Sequence, residues 1–166
     1  MQNMHLSIMF SQAIVRKPCP EMIHGLTEAA LGTPDYIKAL DQHALYVEVL
    51  KACGLKVKVL EADSAYPDSV FVEDVALCTS DFAISTNPGA SSRNGEKVEM
   101  RSVLKSYFRE LDSIQAPGSL DGGDVMMVGR HFFIGISDRS NPEGADQLIS
   151  LLKKHGRSGQ KVPLKE

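Results

Sequence analysis

The sequence predicts an α/β fold built from repeated strand–helix–strand units. Three segments each carry strand signals, then an amphipathic helix, then a further strand. The second and third segments align without a gap at an offset of 50 residues, with Asp74 opposite Asp124 and Phe82 opposite Phe132. Such a period indicates a repeat architecture, in which successive units bring their loops together at one end. Accidental similarity between two α/β segments stays open as the alternative.

The first repeat, residues 10–66, contains a helix with clear boundary signals. Thr33 can cap it and Pro34 suits the first helical position, so the helix is expected from about residue 35 to residue 53. Gly54 is typical of the residue just past a helix end. Strands are expected at residues 13–16 and 56–60, and the buried helix face at Tyr36, Leu40, His43, Val47 and Leu50.

The second repeat, residues 67–117, begins with an apolar run that reads as a strand over residues 70–78. Period 2 would place Val72 and Asp74 on one face, so that Asp74 lies on an otherwise buried side and needs a partner or a cationic ligand. The remaining elements are expected as a strand at 82–86, a turn at 87–89, a helix at 97–108 buried through Met100, Leu104, Tyr107 and Leu111, and a strand at 113–116.

The third repeat, residues 118–166, is expected to contain strands at 124–128 and 132–136. Asn141 and Pro142 begin a helix predicted over residues 142–155, which Gly156 ends. A last strand at 161–164 is followed by two residues, and from this we expect a longer protein or a homo-oligomer that pairs through this open edge. Residues 1–9 read as an extension.

Composition excludes several classes of protein. The 166 residues carry 18 Lys and Arg against 21 Asp and Glu, a net charge of −3, which disfavours nucleic-acid binding. No apolar stretch is long enough for a membrane span and no secretory signal is recognisable. Three cysteines without a CxxC pair fit reduced thiols, so a cytoplasmic location is expected.

Two acidic segments are the candidate functional site. The first, residues 67–74, carries Asp68, Glu73 and Asp74; the second, residues 116–124, places Asp121 and Asp124 on either side of two glycines. Glycines permit positive φ and a close approach of backbone to ligand. Carboxylates delivered by two repeats suit a cation, either a metal or a guanidinium. A solvated loop end and a hairpin turn are the plain alternatives.

Other reactive side chains give weaker signals. No HxH, HExxH or CxxC occurs, so no metal and no cofactor are predicted. Cys78 and Cys53 are expected to pack in the core, and Cys19, between two prolines, to be exposed. Arg93 and Arg139 lie in Ser- and Asn-rich connections, where they could bind a carboxylate or be ordinary surface arginines.

The strings Asp-Ser-Val-Phe-Val-Glu-Asp at 68–74 and Leu-Asp-Gly-Gly-Asp at 120–124, in this order, resemble the dimethylarginine dimethylaminohydrolase family. Segments 13–16, 25–27 and 137–141 share the likeness, which covers residues 10–166. The family belongs to the guanidine-modifying superfamily with arginine deiminase and the amidinotransferases. The resemblance implies a pentein-like α/β propeller of five ββαβ blades, of which this chain would form about three.

The resemblance also implies an activity and a set of residue roles. The family converts Nω-methylated arginine to citrulline and methylamine through a covalent intermediate on a Cys, with a His as acid and base. The implied roles here are the following: Asp74 binds the guanidinium with Glu73 beside it, Asp121 is the acidic partner of the catalytic His, Arg93 and Arg139 hold the α-carboxylate, Asp68 and the backbone at Leu26 receive the α-amino group, and Phe71 lines the pocket.

One departure from the family is large. The family's catalytic His and Cys have no match among these 166 residues, because Cys78 and His155 lie at other positions, and the zinc ligands of the family are the same two residues. We therefore expect the chain alone to be inactive. An arginine deiminase or amidinotransferase type of substrate, and a non-catalytic guanidine-binding fragment, stay open as alternatives.

Overall fold

The computed structural model describes residues 10–27 and 29–164, and the extension predicted at residues 1–9 lies outside them. The chain divides into two compact units, Met1–Val70 and Phe71–Glu166. The division falls close to the predicted boundary between the first and second repeats. The three-repeat organisation of residues 10–66, 67–117 and 118–166 as one incomplete domain stays a prediction. Among the described residues, no helix is long and apolar enough to cross a bilayer.

The first unit is a strand–helix–strand crossover. Strand β1 (Gln12–Arg16) and strand β2 (Lys56–Leu60) pair in parallel, and helix α1 (Tyr36–Ala52) connects them. The predicted helix face is confirmed, because Val47 is buried and the other four members of that face are partly buried. The predicted cap was wrong by two residues: Asp35, not Thr33, accepts the amide of Lys38 at 3.0 Å.

The second unit contains two three-stranded sheets of the same topology. In each, an antiparallel hairpin is followed by a helix and a third strand parallel to the second, which confirms the ββαβ pattern within this unit. The first set is β3 (Ala76–Cys78), β4 (Ala83–Ser85), α2 (Glu96–Leu104) and β5 (Leu111–Ser113); the second is β6 (Val125–Val128), β7 (His131–Ile136), α3 (Pro142–Lys154) and β8 (Ser158–Pro163).

The gapless alignment of the two repeats holds for the buried positions, because Phe82 and Phe132, and likewise Ile84 and Ile134, lie in the same core. The cross-strand pairing within the hairpins departs from this alignment by one residue. Leu77 pairs with Ile84 in the first hairpin, and the equivalent pair in the second is Met126 with Phe133, an offset of 49. The 3-10 turn before the hairpin also differs in length, spanning Val72–Val75 in one repeat and Gly122–Asp124 in the next.

The same turn overturns the strand predicted at residues 70–78. Only Ala76–Cys78 is a strand, and Asp74 lies in the 3-10 turn before it. The period-2 argument that placed Asp74 on the face of Val72 was therefore wrong, although Asp74 is partly buried for another reason given below.

Helix α2 is shorter than predicted, whereas α3 matches its prediction. The carbonyl of Leu104 accepts the amides of both Tyr107 and Phe108 at 2.9 Å, which closes α2, and Leu111 belongs to β5 instead. In α3, the side chain of Asn141 accepts the amide of Gly144 at 2.8 Å. The core of this unit joins both sheets with α3 through Phe82, Ile84, Ile114, Leu120, Phe132, Ile134, Ala145, Leu148 and Leu152.

Two cysteine predictions were wrong. Cys19 is 1% exposed because it packs beneath the carbonyls of Tyr66 and Pro67, whereas it was expected at the surface. Cys53 is exposed because it follows the last residue of α1, where no described element covers it. Cys78 is partly buried in β3, as expected.

Candidate functional site

Asp74 is held in place by contacts from three directions. Its Oδ2 accepts a hydrogen bond from Nη1 of Arg93, its Oδ1 accepts the amide of Gly123 at 3.1 Å, and its carbonyl accepts the hydroxyl of Thr86 at 2.6 Å. The 3-10 turn is what brings the carboxylate to Arg93, since the turn reverses the chain just before β3. The side chain keeps 20% of its surface exposed, so Asp74 is fixed and only partly buried.

Arg93 joins Asp74 to a second carboxylate. Its Nε and Nη2 donate to the two carboxylate oxygens of Glu96, each at 2.8 Å, and Nη2 also donates to the carbonyl of Phe71 at 3.0 Å. The side chains of Arg93 and Glu96 are only 5% and 4% exposed. A buried guanidinium between two carboxylates stays charged, and these partners raise the pKa of Arg93 in spite of the opposing effect of its burial. Arg93 is therefore part of the framework of the site.

The two glycines between Asp121 and Asp124 allow close backbone approach. A Cβ on Gly122 would lie 2.1 Å from the carbonyl oxygen of Glu73, and a Cβ on Gly123 would lie 2.7 Å from Oδ1 of Asp74. Neither glycine has a positive φ. Of the two reasons for a glycine, a positive φ and a close approach of the backbone, only the close approach applies here. This contact joins the loops of the two repeats.

Asp121 lies beside this junction and is 6% exposed. Its Oδ1 accepts the amide of Gly89 at 2.9 Å, and its own amide donates to the hydroxyl of Ser140 at 3.0 Å. Burial raises the pKa of Asp121, and the negative charge of Asp74 adds to the increase, while the Gly89 hydrogen bond and the charges of Arg93 and Arg139 oppose it. The carboxyls of Asp74 and Asp121 therefore lie within electrostatic reach of each other.

The loop that carries Arg139 is fixed through its backbone. The hydroxyl of Ser137 donates to Asp124 at 2.6 Å and accepts the amides of Arg139 and Ser140 at 3.0 and 3.1 Å. A Cβ on Gly89 would lie 2.3 Å from the carbonyl oxygen of Arg139, so the two loops touch directly. Within residues 10–27 and 29–164, the guanidinium of Arg139 forms no hydrogen bond and no ion pair, which leaves it able to bind an external anion.

The first unit brings Asp68 and Leu26 together. Both oxygens of Asp68 lie within 3.2 Å of the amide of Leu26, and the Asp68 side chain is nearly buried at 9% exposure. A Cβ on Gly25 would come within 2.6 Å of Oδ1 of Asp68, so a side chain at this position would displace that carboxylate. Leu26 itself is half exposed.

Glu73 and Phe71 contribute backbone rather than side chain to the described contacts. The carbonyl of Glu73 packs against Gly122, and the carbonyl of Phe71 accepts from Arg93. The two side chains are exposed, and Phe71 is 52% exposed. Their predicted places beside the guanidinium and along a pocket wall stay predictions.

None of the three thiols is placed as a nucleophile for this site. Burial raises the pKa of Cys78 to about 11, and burial likewise raises the pKa of Cys19. Cys53 is exposed just after the C-terminal end of α1 and belongs to the first unit, whereas Asp74 and Asp121 belong to the second. His155 stacks on Phe82 at 3.9 Å and contacts Asp112 at 2.7 Å, so it is engaged at the end of α3.

Sequence reasoning missed Glu96, and it missed that Asp124 and Ser137 fix the Arg139 loop. Glu96 had a signal, since it lies three residues after Arg93 at the predicted start of α2, where i and i+3 side chains meet. The sequence predicts Asp124 as a site carboxylate, whereas in the structure it accepts a hydrogen bond from the hydroxyl of Ser137. In the described part of the chain, no three His, Cys, Asp or Glu side chains are grouped as a metal site.

Comparison with known proteins gives consistent matches. A family model described as N,N dimethylarginine dimethylhydrolase, eukaryotic, matches residues 35–155. The chain is 48% identical to the N(G),N(G)-dimethylarginine dimethylaminohydrolase of Pseudomonas aeruginosa over 95% of its length and 63% of that protein. It is 34% identical to the enzyme of the same name from Streptomyces coelicolor, over 92% of this chain and 60% of that one. The chain thus spans about three fifths of the length of the curated relatives that it matches.

Solved structures agree with the sequence matches. The Pseudomonas aeruginosa enzyme in complex with citrulline superposes with a TM-score of 0.92 at 46% identity, over 95% of this chain and 62% of that one. The N-terminal domain of a cyanobacterial arginine dihydrolase matches with a TM-score of 0.75 at 15% identity, over 92% of this chain and 58% of that domain, which shows a shared fold alone.

Proposed function

The chain belongs to the dimethylarginine dimethylaminohydrolase family, and from this premise we propose that it binds the guanidinium of an Nω-methylated arginine at Asp74. The observation that carries the proposal is that Asp74 is fixed by Arg93 and Gly123 while its side chain stays 20% exposed. A guanidinium can donate two parallel N–H hydrogen bonds in its plane. A carboxylate held in a fixed orientation is suited to accept them.

The charge of the cluster favours a cation. Asp74, Glu96 and Asp121 carry three carboxylates against the two guanidiniums of Arg93 and Arg139, which leaves one negative charge in excess. Partial burial reduces screening by solvent and salt, so this excess acts more strongly than it would on an open surface. A monocationic side chain is the ligand that balances it.

The amino-acid end of the ligand is assigned to other residues. We assign the α-carboxylate to Arg139, whose guanidinium forms no hydrogen bond among the described residues, and the predicted role of Asp68 and the backbone at Leu26 at the α-amino group stays a prediction. Arg93 was predicted to hold the α-carboxylate as well. Its donors to Glu96 and Asp74 make it a framework residue in this structure, so that role stays a prediction.

The whole protein would then hydrolyse methylated arginine to citrulline and methylamine. A Cys thiolate attacks the guanidinium carbon, methylamine leaves with a proton from a His, and water hydrolyses the thiouronium intermediate to citrulline and free thiolate. Asp121 would orient that His. The 166-residue chain supplies the binding part and is itself inactive, because Cys78 and Cys19 are protonated and buried and Cys53 belongs to the first unit.

Two further expectations remain proposals. The ββαβ units would belong to a five-bladed ring, of which the chain forms about three blades. Copies of the chain would associate through the open edge near Leu164, which is 54% exposed. A cytoplasmic location fits the free thiols. Light scattering tests the association, and a stable monomer would contradict it.

Calorimetry and a turnover assay test the proposed function together. We expect the purified chain to bind Nω,Nω-dimethyl-L-arginine and to bind L-ornithine more weakly, because ornithine lacks the planar guanidinium. Failure to bind either ligand would contradict the proposed site. Incubation with dimethylarginine should release no citrulline above background, and any turnover would contradict the inactivity of the chain.

A further inference from the structure

Glu96 occupies a buried position that the proposed reaction does not explain. It is the first residue of α2, where the positive end of the helix dipole favours a carboxylate. Its side chain is 4% exposed, and both of its oxygens accept hydrogen bonds from the same guanidinium, that of Arg93. A carboxylate so fully removed from water is stable only because it is paired and hydrogen-bonded in this way.

This pairing fixes the direction in which Arg93 points. A guanidinium is a planar fork, and Glu96 takes the edge formed by Nε and Nη2. The remaining nitrogen, Nη1, is then directed at Oδ2 of Asp74. The orientation of the Asp74 carboxylate therefore depends on a residue that does not touch it.

The pairing also sets the charge that a ligand meets. If Arg93 were opposed by Asp74 alone, the two would form a neutral pair with little attraction for a cation. Because Glu96 already balances Arg93, the charge of Asp74 stays available to a guanidinium. The amide of Gly123 holds the other Asp74 oxygen in place without cancelling this charge.

We propose that Glu96 is a positioning residue for cation recognition: it balances and orients Arg93, so that Asp74 is held in place with its negative charge available. The proposal rests on the proposed function, since it concerns the same guanidinium site. It adds to that function a residue that never contacts the ligand. It also adds a measurable property, the selectivity for a charged over a neutral ligand, which a purely structural carboxylate would not control.

The test compares two ligands that differ in charge. L-Arginine carries a cationic guanidinium, and L-citrulline carries a neutral ureido group of nearly the same shape, with the same α-carboxylate and α-amino groups. Calorimetry on the full chain gives the dissociation constant of each ligand for the wild type, for Glu96→Gln and for Glu96→Asp. Glu143→Gln is the matched control, since Glu143 is an exposed acidic residue in the first turn of α3.

Glu96→Gln should weaken the binding of arginine about tenfold more than the binding of citrulline, the equivalent of one charge-assisted contact. Glu96→Asp keeps the charge and should retain most of the selectivity, and Glu143→Gln should leave the affinity ratio unchanged. An equal loss for both ligands, or no loss, would overturn the role of Glu96 while leaving the proposed function intact. A wild type that binds neither ligand would overturn both.

A second measurement keeps the proposal testable if Glu96→Gln does not fold. Nitrogen-15 NMR of the wild-type chain follows the Nε–H of Arg93, which we expect to be protected from solvent exchange both before and after arginine is added. The Nη signals alone should shift on binding. Loss of Nε–H protection on binding would mean that Arg93 leaves Glu96, and it would overturn the proposal.

Discussion

The amide of Gly123 donates a hydrogen bond to the carboxylate of Asp74, which lies 49 positions earlier in the chain, at 3.1 Å. Next to it, Gly122 packs on the carbonyl of Glu73 at a distance that leaves no room for a methyl group. The two repeats of this unit therefore meet through backbone at the place where the carboxylates lie. The position of the Asp74 carboxylate in one repeat therefore depends on Gly123 in the next.

Alanine at the two glycines should have different effects. In Gly122→Ala, the Cβ would lie 2.1 Å from a carbonyl oxygen of the backbone, so we expect a loss of about 1–3 kcal/mol in the free energy of unfolding. In Gly123→Ala, the Cβ meets the Asp74 carboxylate, which can rotate away. That variant should lose less than about 1 kcal/mol of stability but about tenfold or more in affinity for dimethylarginine.

Thermal unfolding and calorimetry on both variants check this pair. The melting temperature of Gly122→Ala should fall by roughly 4–8 °C for each 1 kcal/mol in a unit of this size. Wild-type affinity in Gly123→Ala would show that the position of Asp74 does not depend on Gly123.

Asp121→Asn should stabilise the protein at neutral pH. Burial raises the pKa of Asp121, so the native state binds its proton more tightly than the unfolded state. Stability is then lost as the pH rises from the ordinary carboxyl pKa through the raised native pKa of Asp121. Asparagine keeps an oxygen for the amide of Gly89 without the buried charge.

Chemical denaturation as a function of pH measures this effect. The variant should be more stable than the wild type at pH 7, and the difference should shrink as the pH falls well below the ordinary Asp pKa of about 3.9, where the native and the unfolded wild type are both protonated. A variant that is less stable at pH 7 would mean that the hydrogen bond of the Asp121 carboxylate outweighs its desolvation.

Thiol labelling should separate Cys53 from the other two cysteines. Cys53 is exposed, Cys19 is 1% exposed, and burial raises the pKa of Cys78 to about 11. At pH 8 a thiol with that pKa is ionised about 10²-fold less than a free cysteine. An aromatic disulfide reagent should label one thiol rapidly and two more only on unfolding, and rapid labelling of more than one thiol would contradict the described burial.

Arg139→Gln should weaken the binding of ligands that carry an α-carboxylate. We expect about a tenfold loss in the affinity for arginine, from one charge-assisted contact, and little change for agmatine, which lacks the carboxylate. Calorimetry with both ligands gives the comparison. An equal loss for arginine and agmatine would place Arg139 elsewhere than at the carboxylate.

Local sequence signals predicted the helices and one of their buried faces, because capping and periodicity act within a few residues. Asn141 and Gly156 mark the ends of α3 within one residue, and the predicted face of α1 is the buried one. The buried positions keep the predicted offset of 50, but the strand expected from residue 70 begins only at Ala76, after the 3-10 turn Val72–Val75. No local propensity distinguishes that turn from the start of a strand rich in Val and Phe.

The candidate site was predicted in its residue types more than in its connections. Asp74, Asp121 and the two glycines do lie together, but Asp74 reaches the site through a turn and not through strand alternation. The pair of Arg93 with Glu96 is local in sequence, whereas its pair with Asp74 spans 19 positions and depends on how the 3-10 turn packs. The spacing of Glu96 could have predicted its pair with Arg93, but its burial and the backbone contact of Gly122 are seen only in three dimensions.

The most direct test of the guanidinium site is the affinity of Asp74→Asn for dimethylarginine, measured by calorimetry beside Asp146→Asn. Asp146 is an exposed carboxylate that pairs with Lys161 at the surface, where such pairs contribute little. Asp74→Asn should bind at least about 10²-fold more weakly than the wild type, through loss of a charged hydrogen bond in a partly buried site, and Asp146→Asn should bind like the wild type. Undiminished binding by Asp74→Asn would contradict the central claim.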